Sequence, residues 1–284
     1  MILFEDRAAT VLYNVLTNIK QKKFLLPLNV CPIVPDTFLK ANKEFEFVDI
    51  SLTTLCMDEE LVFQKIVEDK SIDGILFVKT FGIEFDVEPF YKKIKEHNKE
   101  IFIIDDMCPS VQRFDCDIEN SFADMKLFSS GYSKYIDIGY GGYGFVKENQ
   151  FKEIFEDKTT LTSFVEYKQI IQEKIPLMKQ HKATLNRLYK EKIDIKYHLG
   201  EVWNGWRFSL LVENKEEILE AIFKVDGLFA SSHYPQVDYN YVKNPVQNSN
   251  TNIIHSQIIN LFNDFRYDID KAEQTIEIIN KVIR

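Results

Sequence analysis

GILFVKTFGIEFDVEPFYKKIKEHNKEIFIID, residues 74–105, reads as strand, helix, strand. Gly74–Lys79 and Ile101–Asp105 are apolar without a polar alternate, and Val87–His97 between them reads as a helix. A strand apolar on both sides of its pleat is covered on both faces, and a helical crossover joins parallel neighbours. The same alternation extends outward from this unit. Arg7–Ile19 has apolar residues at helical spacing (Val11, Leu12, Val15, Leu16, Ile19). Lys23–Leu28 is a short buried strand, Pro35–Ala41 a helix, Glu44–Ile50 a strand and Glu59–Val67 a helix. Met125–Ser129 and Gly142–Val146 add two strands. The expected fold class is therefore α/β, a mainly parallel sheet flanked by helices.

The second half has a different texture. Glu153–Lys192 is largely helical and rich in Lys and Glu. Trp206–Val212 and Leu228–Ser232 read as strands, Lys215–Lys224 and Asp270–Ile283 as helices, and Asn240–Thr251 as a polar loop. The expectation is a large α/β domain over residues 1–148 and a smaller α+β domain over 149–284.

Composition narrows the function. The 284 residues are 45% hydrophobic and 28% charged, as in a soluble globular protein. The net charge of −9 disfavours nucleic acid as main partner, because phosphate backbones need a basic footprint. An anionic small ligand stays open, since one local positive site can hold it. No apolar run reaches the roughly 18–20 residues that span a bilayer, and MILFEDRAAT has no signal-peptide pattern, so a cytoplasmic protein is expected. Cys31, Cys56, Cys108 and Cys116 are scattered, without zinc-like spacing. His97, His181, His198 and His255 show no metal-ligand spacing either, and no metal is expected.

In a parallel sheet the ligand lies beyond the carboxyl ends of the strands. That rule points to Asp105-Asp106, Ser129-Ser130 and the loop carrying Lys134, and three segments could carry chemistry. The first is FSSGYSKYIDIGYGGYGFV (128–146), where Ser129 and Ser130 end a strand, Lys134 follows in a loop, and Gly139, Gly141 and Gly142 permit a tight return. A lysine so placed can form an imine with a carbonyl cofactor if its amine is desolvated or near a second cation. By itself it also fits a surface lysine beside a glycine turn. The second is IFIIDDMCPS (101–110). Paired carboxylates at a strand end can bind metal, cap a helix or meet a buried cation. One facing a pyridine nitrogen would keep that nitrogen protonated. Asp106 is the better site candidate, and Asp105 fits a structural role. The third is FEDRAATVLY (4–13), which puts Arg7 at a helix start, where free N–H groups favour a phosphate.

Together these segments resemble the DegT/StrS family of sugar aminotransferases, which have the aspartate-aminotransferase fold, fold type I among pyridoxal 5′-phosphate enzymes. The resemblance runs in order over nearly the whole chain: DRAAT (6–10), LLPLNVCPIVP (25–35), EFVDIS (46–51), FGIEFD (81–86), IIDDMCPS (103–110), the Ser-to-Lys loop with its glycine turn (129–142), and HYP (233–235).

This resemblance implies that Lys134 holds pyridoxal 5′-phosphate and that Asp106 binds its pyridine nitrogen. It implies that Ser129, Arg7 and Ala8 hold the phosphate and that Cys31 lies against the ring. His233, Tyr132 and Tyr140 become candidates for contacting substrate. The implied activity is transfer of an amino group from an amino acid such as glutamate to a keto (nucleotide-)sugar, by a homodimer. A non-catalytic relative that keeps the fold, or a pyridoxal-phosphate enzyme of another type such as a decarboxylase, is the alternative. Several departures bear on this. The chain begins at the phosphate turn, Arg7 stands where Thr is common, Pro109 where Gln is common, and Tyr140 replaces an acid. The segment that follows the glycine turn in many members reads as deleted. Trp203 and Trp206, flanking Gly205, read as core packing.

Overall fold

The computed structural model describes residues 1–147 and 163–283. In chain order the elements are β1 (Ile2–Glu5), α1 (Ala8–Asn18), β2 (Lys23–Pro27), α2 (Ile33–Lys40), β3 (Glu44–Val48), α3 (Glu59–Glu68), β4 (Gly74–Val78), α4 (Glu88–His97), β5 (Phe102–Asp106), β6 (Met125–Ser129) and β7 (Gly142–Val146). After the undescribed stretch come α5 (Phe164–Lys192), β8 (Phe208–Leu211), α6 (Lys215–Phe223), β9 (Ala230–Ser231), α7 (Asn250–Gln257), β10 (Ile258–Leu261) and α8 (Ile269–Val282). The expected domain boundary at 148/149 and the expected helix start at Glu153 lie outside the described residues.

The first half forms one seven-stranded sheet in the order β1-β7-β6-β5-β4-β2-β3. Strands β3, β2, β4, β5 and β6 run parallel, whereas β7 is antiparallel to both β6 and β1. Alternation along each apolar strand divides the core in two. Phe24, Leu26, Leu76, Val78, Phe102 and Ile104 pack with α1 and α2 on one face. Leu25, Ile75, Phe77, Ile101 and Ile103 pack with α3 and α4 on the other. Both faces are covered, which explains strands without polar alternates.

The second half builds an antiparallel sheet, β8-β10-β9. The cluster around it takes in Leu185 and Tyr189 of α5, Ile218 and Ile222 of α6, and Ile276 and Ile279 of α8. Three elements depart from expectation. β1 and β10 were not anticipated as strands, and the polar loop expected over 240–251 gives way to α7 at Asn250.

Two buried residues show how tightly this frame is set. At Gly74, where β4 meets β2, a Cβ would lie 2.1 Å from a ring carbon of Phe24, itself packed on Phe38 with centroids 5.0 Å apart. Lys182 of α5 is 4% exposed and donates to the Trp206 carbonyl and to Asn263 Oδ1, each at 2.7 Å. Burial lowers its pKa from 10.5 to about 7, with Asp264 opposing that shift and Arg207 and Arg266 adding to it.

Gly74→Ala is expected to cost about 2 kcal/mol of stability by overpacking, read as a lower midpoint in urea. For Lys182 the sign follows from proton binding. Between pH 7 and 10.5 the unfolded chain holds a proton that the folded chain has lost, so this residue makes stability rise with pH across that window. The rise is lost as pH falls back through 7. Unfolding at pH 7 and pH 9.5 should show Lys182→Met without this increment, on the order of 3 kcal/mol.

Candidate active site

Strand alternation separates the two aspartates of β5. Asp106 shares the parity of Phe102 and Ile104 and opens toward α1 and α2, whereas Asp105 shares that of Ile103 and points toward α4. There Asp105 faces the buried Tyr91 hydroxyl, with Lys79 and Lys126 as nearby cations. Asp106 lies beside Val78 of β4 and Leu127 of β6, and all three line a cavity of about 440 Å³. The cavity lies beyond the carboxyl ends of β2, β4, β5 and β6.

Two chain returns complete it. After β6 the loop carrying Lys134 is closed by Asp137, whose carboxylate accepts from the Ser133 N–H (2.8 Å) and the Gly139 N–H (3.0 Å). The chain then turns back through Gly141 at φ +92°, a left-handed conformation that favours glycine. Gly141 N–H donates to the Asp6 carbonyl (2.7 Å), and Ser130 N–H donates to the Gly141 carbonyl (2.9 Å). These bonds tie the lysine loop to Asp6, the residue before the Arg7 N-cap of α1. Gly142 permits that approach, because a Cβ there would lie 2.1 Å from the Ala8 nitrogen. The start of α1 is thereby held against the end of β6, with Arg7 as its N-cap and no side chain capping the first turn.

The cavity wall therefore contains Lys134, Asp106, Ser129, Arg7, Ala8, Cys31 and Tyr132, seven of the residues singled out from the sequence. The Arg7 guanidinium sits 5.3 Å from the Tyr132 ring centroid. Asp106 Oδ1 accepts from the Cys108 N–H at 2.9 Å. Burial raises the pKa of Asp106, while its bonds from Cys108 and the nearby Lys134 pull it back. Burial acts to lower the pKa of Lys134, but Cys108, Tyr234, Asp106 and Cys31 act the other way and leave it raised.

Two candidates lie elsewhere. Tyr140 is not part of the cavity wall. Its ring packs near Tyr167 (6.3 Å), and its carbonyl accepts from the Ser130 hydroxyl. His233 is also outside it, against Trp206 with centroids 5.5 Å apart, and its N–H donates to Asn260 Oδ1. Burial, with Arg207 adding to it, lowers the His233 pKa to about 4, so the ring is neutral at pH 7. The neighbouring Tyr234 reaches the cavity instead.

Three further wall residues went unnoticed in the sequence. Cys108 and Tyr234 stand within segments already singled out. Asn29 sits in LLPLNVCPIVP, its amide donating to the Leu55 carbonyl at 2.9 Å while its Oδ1 is buried with no hydrogen-bond partner among the described residues. Gln112 lies behind the wall, and its amide holds the Ser129 carbonyl at 2.6 Å.

This donor set fits a phosphorylated pyridine aldehyde. An uncapped helix start with Arg7 and Ser129 suits a phosphate. A buried carboxylate suits a pyridinium, and a buried amine suits a carbonyl carbon. The orphaned Asn29 Oδ1 is a polar atom for which a ligand could supply a partner. Among the described residues no group of His, Cys, Asp and Glu could hold a metal ion.

No family model and no curated protein sequence matches the chain. Solved structures do. The Helicobacter pylori aminotransferase PseC, involved in pseudoaminic acid biosynthesis, aligns with a TM-score of 0.77 at 16% identity, over 99% of this chain and 86% of its own. A DegT DnrJ EryC1 StrS aminotransferase from Brucella abortus aligns at 0.74 and 16%, over 99% and 85%. NtdA from Bacillus subtilis, solved with bound cofactor PMP, aligns at 0.74 and 16%, over 99% and 73%. At these identities the likeness establishes architecture, and the chain has the fold of the DegT/StrS-type aminotransferases that its sequence resembles.

Proposed function

We propose that this protein is a pyridoxal-phosphate-dependent aminotransferase with Lys134 as its attachment point. The observation that carries the reading is one cavity in which the end of β5 contributes a carboxylate, the loop after β6 an amine, and the start of α1 an uncapped N-terminus with Arg7. Arg7, Ala8 and Ser129 would hold the phosphate. Asp106 would hold a proton on the pyridine nitrogen, since a close carboxylate favours the charged form. Cys31 and Cys108 would give the ring weakly polar walls. When bound, the cofactor supplies a carbonyl that exchanges amines and a ring that stores a carbanion's electrons.

The remaining work falls to the chain. Lys134 would take the proton from the substrate's α-carbon on its amine as general base and, carrying it, would serve later as general acid. Burial of the cavity floor keeps water from competing for that proton. The amine donor in this reading is glutamate and the acceptor a keto group on a nucleotide-linked sugar. The involvement of PseC in pseudoaminic acid biosynthesis and the order of sequence matches support that choice. The reading treats residues 1–148 as the large cofactor domain and 149–284 as a smaller α+β domain.

The reading extends to location and assembly. Among the described residues no helix is long and apolar enough to cross a membrane. Four free cysteines fit a reducing compartment, and the proposed location is the cytoplasm. Ile33 and Tyr132, both on the cavity wall, are 53% and 69% exposed. Apolar side chains at a site mouth suit a subunit contact, and the proposed assembly is a two-fold dimer with sites beside the interface.

Titration with pyridoxal phosphate should raise an absorbance band near ~410–430 nm that glutamate bleaches. Borohydride reduction and peptide mapping should then place the pyridoxyl group on Lys134. A label on another lysine would overturn the assignment, and a band that no amine donor bleaches would favour a non-catalytic relative. Light scattering at micromolar concentration should give twice the 33.4 kDa chain mass. A cofactor-loaded species of single-chain mass would remove the dimer.

A further inference from the structure

We infer that Trp206 is the positioning residue that holds the Lys134 loop in its cofactor-binding shape. The inference rests on Lys134 being the attachment point. The residue just before Lys134 is Ser133, with φ at +62°. A side chain there crowds the following carbonyl, so the left-handed conformation persists only where its surroundings hold it. Two contacts do so. Asp137 binds the Ser133 N–H from within the loop. From outside, the Trp206 indole Nε1–H donates to the Ser133 carbonyl at 2.5 Å. The peptide joining Ser133 to Lys134 is therefore gripped through its oxygen by a residue 73 positions away in the chain.

Trp206 is itself fixed on every side, and it is 5% exposed. Its N–H donates to the Phe81 carbonyl at 3.2 Å, and its own carbonyl accepts from buried Lys182. Its ring stacks on Phe81 (6.3 Å, 27°) and on the cavity residue Tyr234 (6.0 Å, 17°), and the Arg207 guanidinium lies 4.2 Å from its centroid. Gly205 allows this approach, since even a Cβ there would come within 3.1 Å of the Gly82 carbonyl oxygen. A tryptophan serving only as core filler needs the stacking but not the indole donor. Here the donor is spent on one carbonyl, next to the reactive lysine.

The test separates the donor from the bulk. Trp206→Phe keeps an aromatic ring and removes the Nε1–H. Ser133→Gly removes the conformational cost that the bond offsets, because glycine adopts positive φ freely. Attachment is read as the rate at which the ~410–430 nm band rises after mixing with pyridoxal phosphate. Thermal midpoints are recorded for each protein. Trp206→Phe should slow attachment about tenfold or more, as expected when a reacting group loses its orientation. Adding Ser133→Gly should restore the rate to within about threefold of wild type. The control is Asn42→Gly, which relieves positive φ (56°) at the end of α2, outside the cavity wall. It should raise the midpoint without restoring the rate. If Trp206→Phe does not fold, benzothienylalanine at position 206 in a Trp203→Phe background keeps the shape and deletes the donor, and the same slowing is expected. The inference is overturned if either donor-less protein attaches at the wild-type rate, or if Asn42→Gly restores it as well as Ser133→Gly does. A wild-type protein that forms no band removes the Lys134 assignment, and this inference with it.

Discussion

Burial on both faces is the constraint from which the rest of the molecule follows. A strand sandwiched between helices cannot carry polar side chains along its length without stranding them from water. The central strands β4 and β5 are accordingly apolar up to their carboxyl ends, and the buried polar groups gather at that edge: Asn29 past β2, Thr80 past β4, Asp105 and Asp106 closing β5, Ser129 closing β6. Parallel strands bring those edges to one side, so groups separated by a hundred residues share a cavity. Where each group points is then a matter of parity. The single-residue step from Asp105 to Asp106 moves a carboxylate from α4 and Tyr91 to the cavity floor.

Much of this was legible in the sequence because the signals were local and strong. The unalternated runs at 74–79 and 101–105 announce buried parallel strands, and the carboxyl-end rule then points to Asp105-Asp106, Ser129-Ser130 and the Lys134 loop. What escaped was non-local. β1 is four residues long and half-exposed at the sheet edge, and it exists because β7 pairs with it. β10 follows α7 without a break, so NTNIIHSQIINL shows no turn to divide helix from strand. In the HYP element nothing local says which ring faces the cavity. It is Tyr234 that lines the cavity, while the His233 backbone N–H is held by Asn260. Asn29 and Gln112 were silent because a lone amide has no periodicity to betray it.

Two departures from the DegT/StrS pattern, Arg7 and Pro109, lie on the cavity wall, whereas Tyr140 packs against Tyr167. Arg7 places a full cation where a hydroxyl is common, at a helix start whose N–H groups already attract anions. Pro109 removes an amide donor from the wall. Asn29, held by the Leu55 carbonyl, puts an amide on the same wall from a different strand, although with its acceptor free.

The charge of the whole chain and the charge of the site pull in opposite directions, and distance decides between them. A net −9 repels a phosphorylated cofactor or a nucleotide-linked sugar only weakly, because exposed charges are screened beyond a Debye length of about 8 Å at physiological ionic strength. Inside the cavity the balance is local. Arg7, Lys134 and the uncapped start of α1 face a single carboxylate, Asp106, whose charge is itself disfavoured by burial. An anion entering there therefore meets a positive field at short range, in surroundings that screen it less than water does. An acidic protein can thus still attract an anionic small molecule where its cations, here exposed Arg7 and half-buried Lys134, gather at the sheet's carboxyl edge.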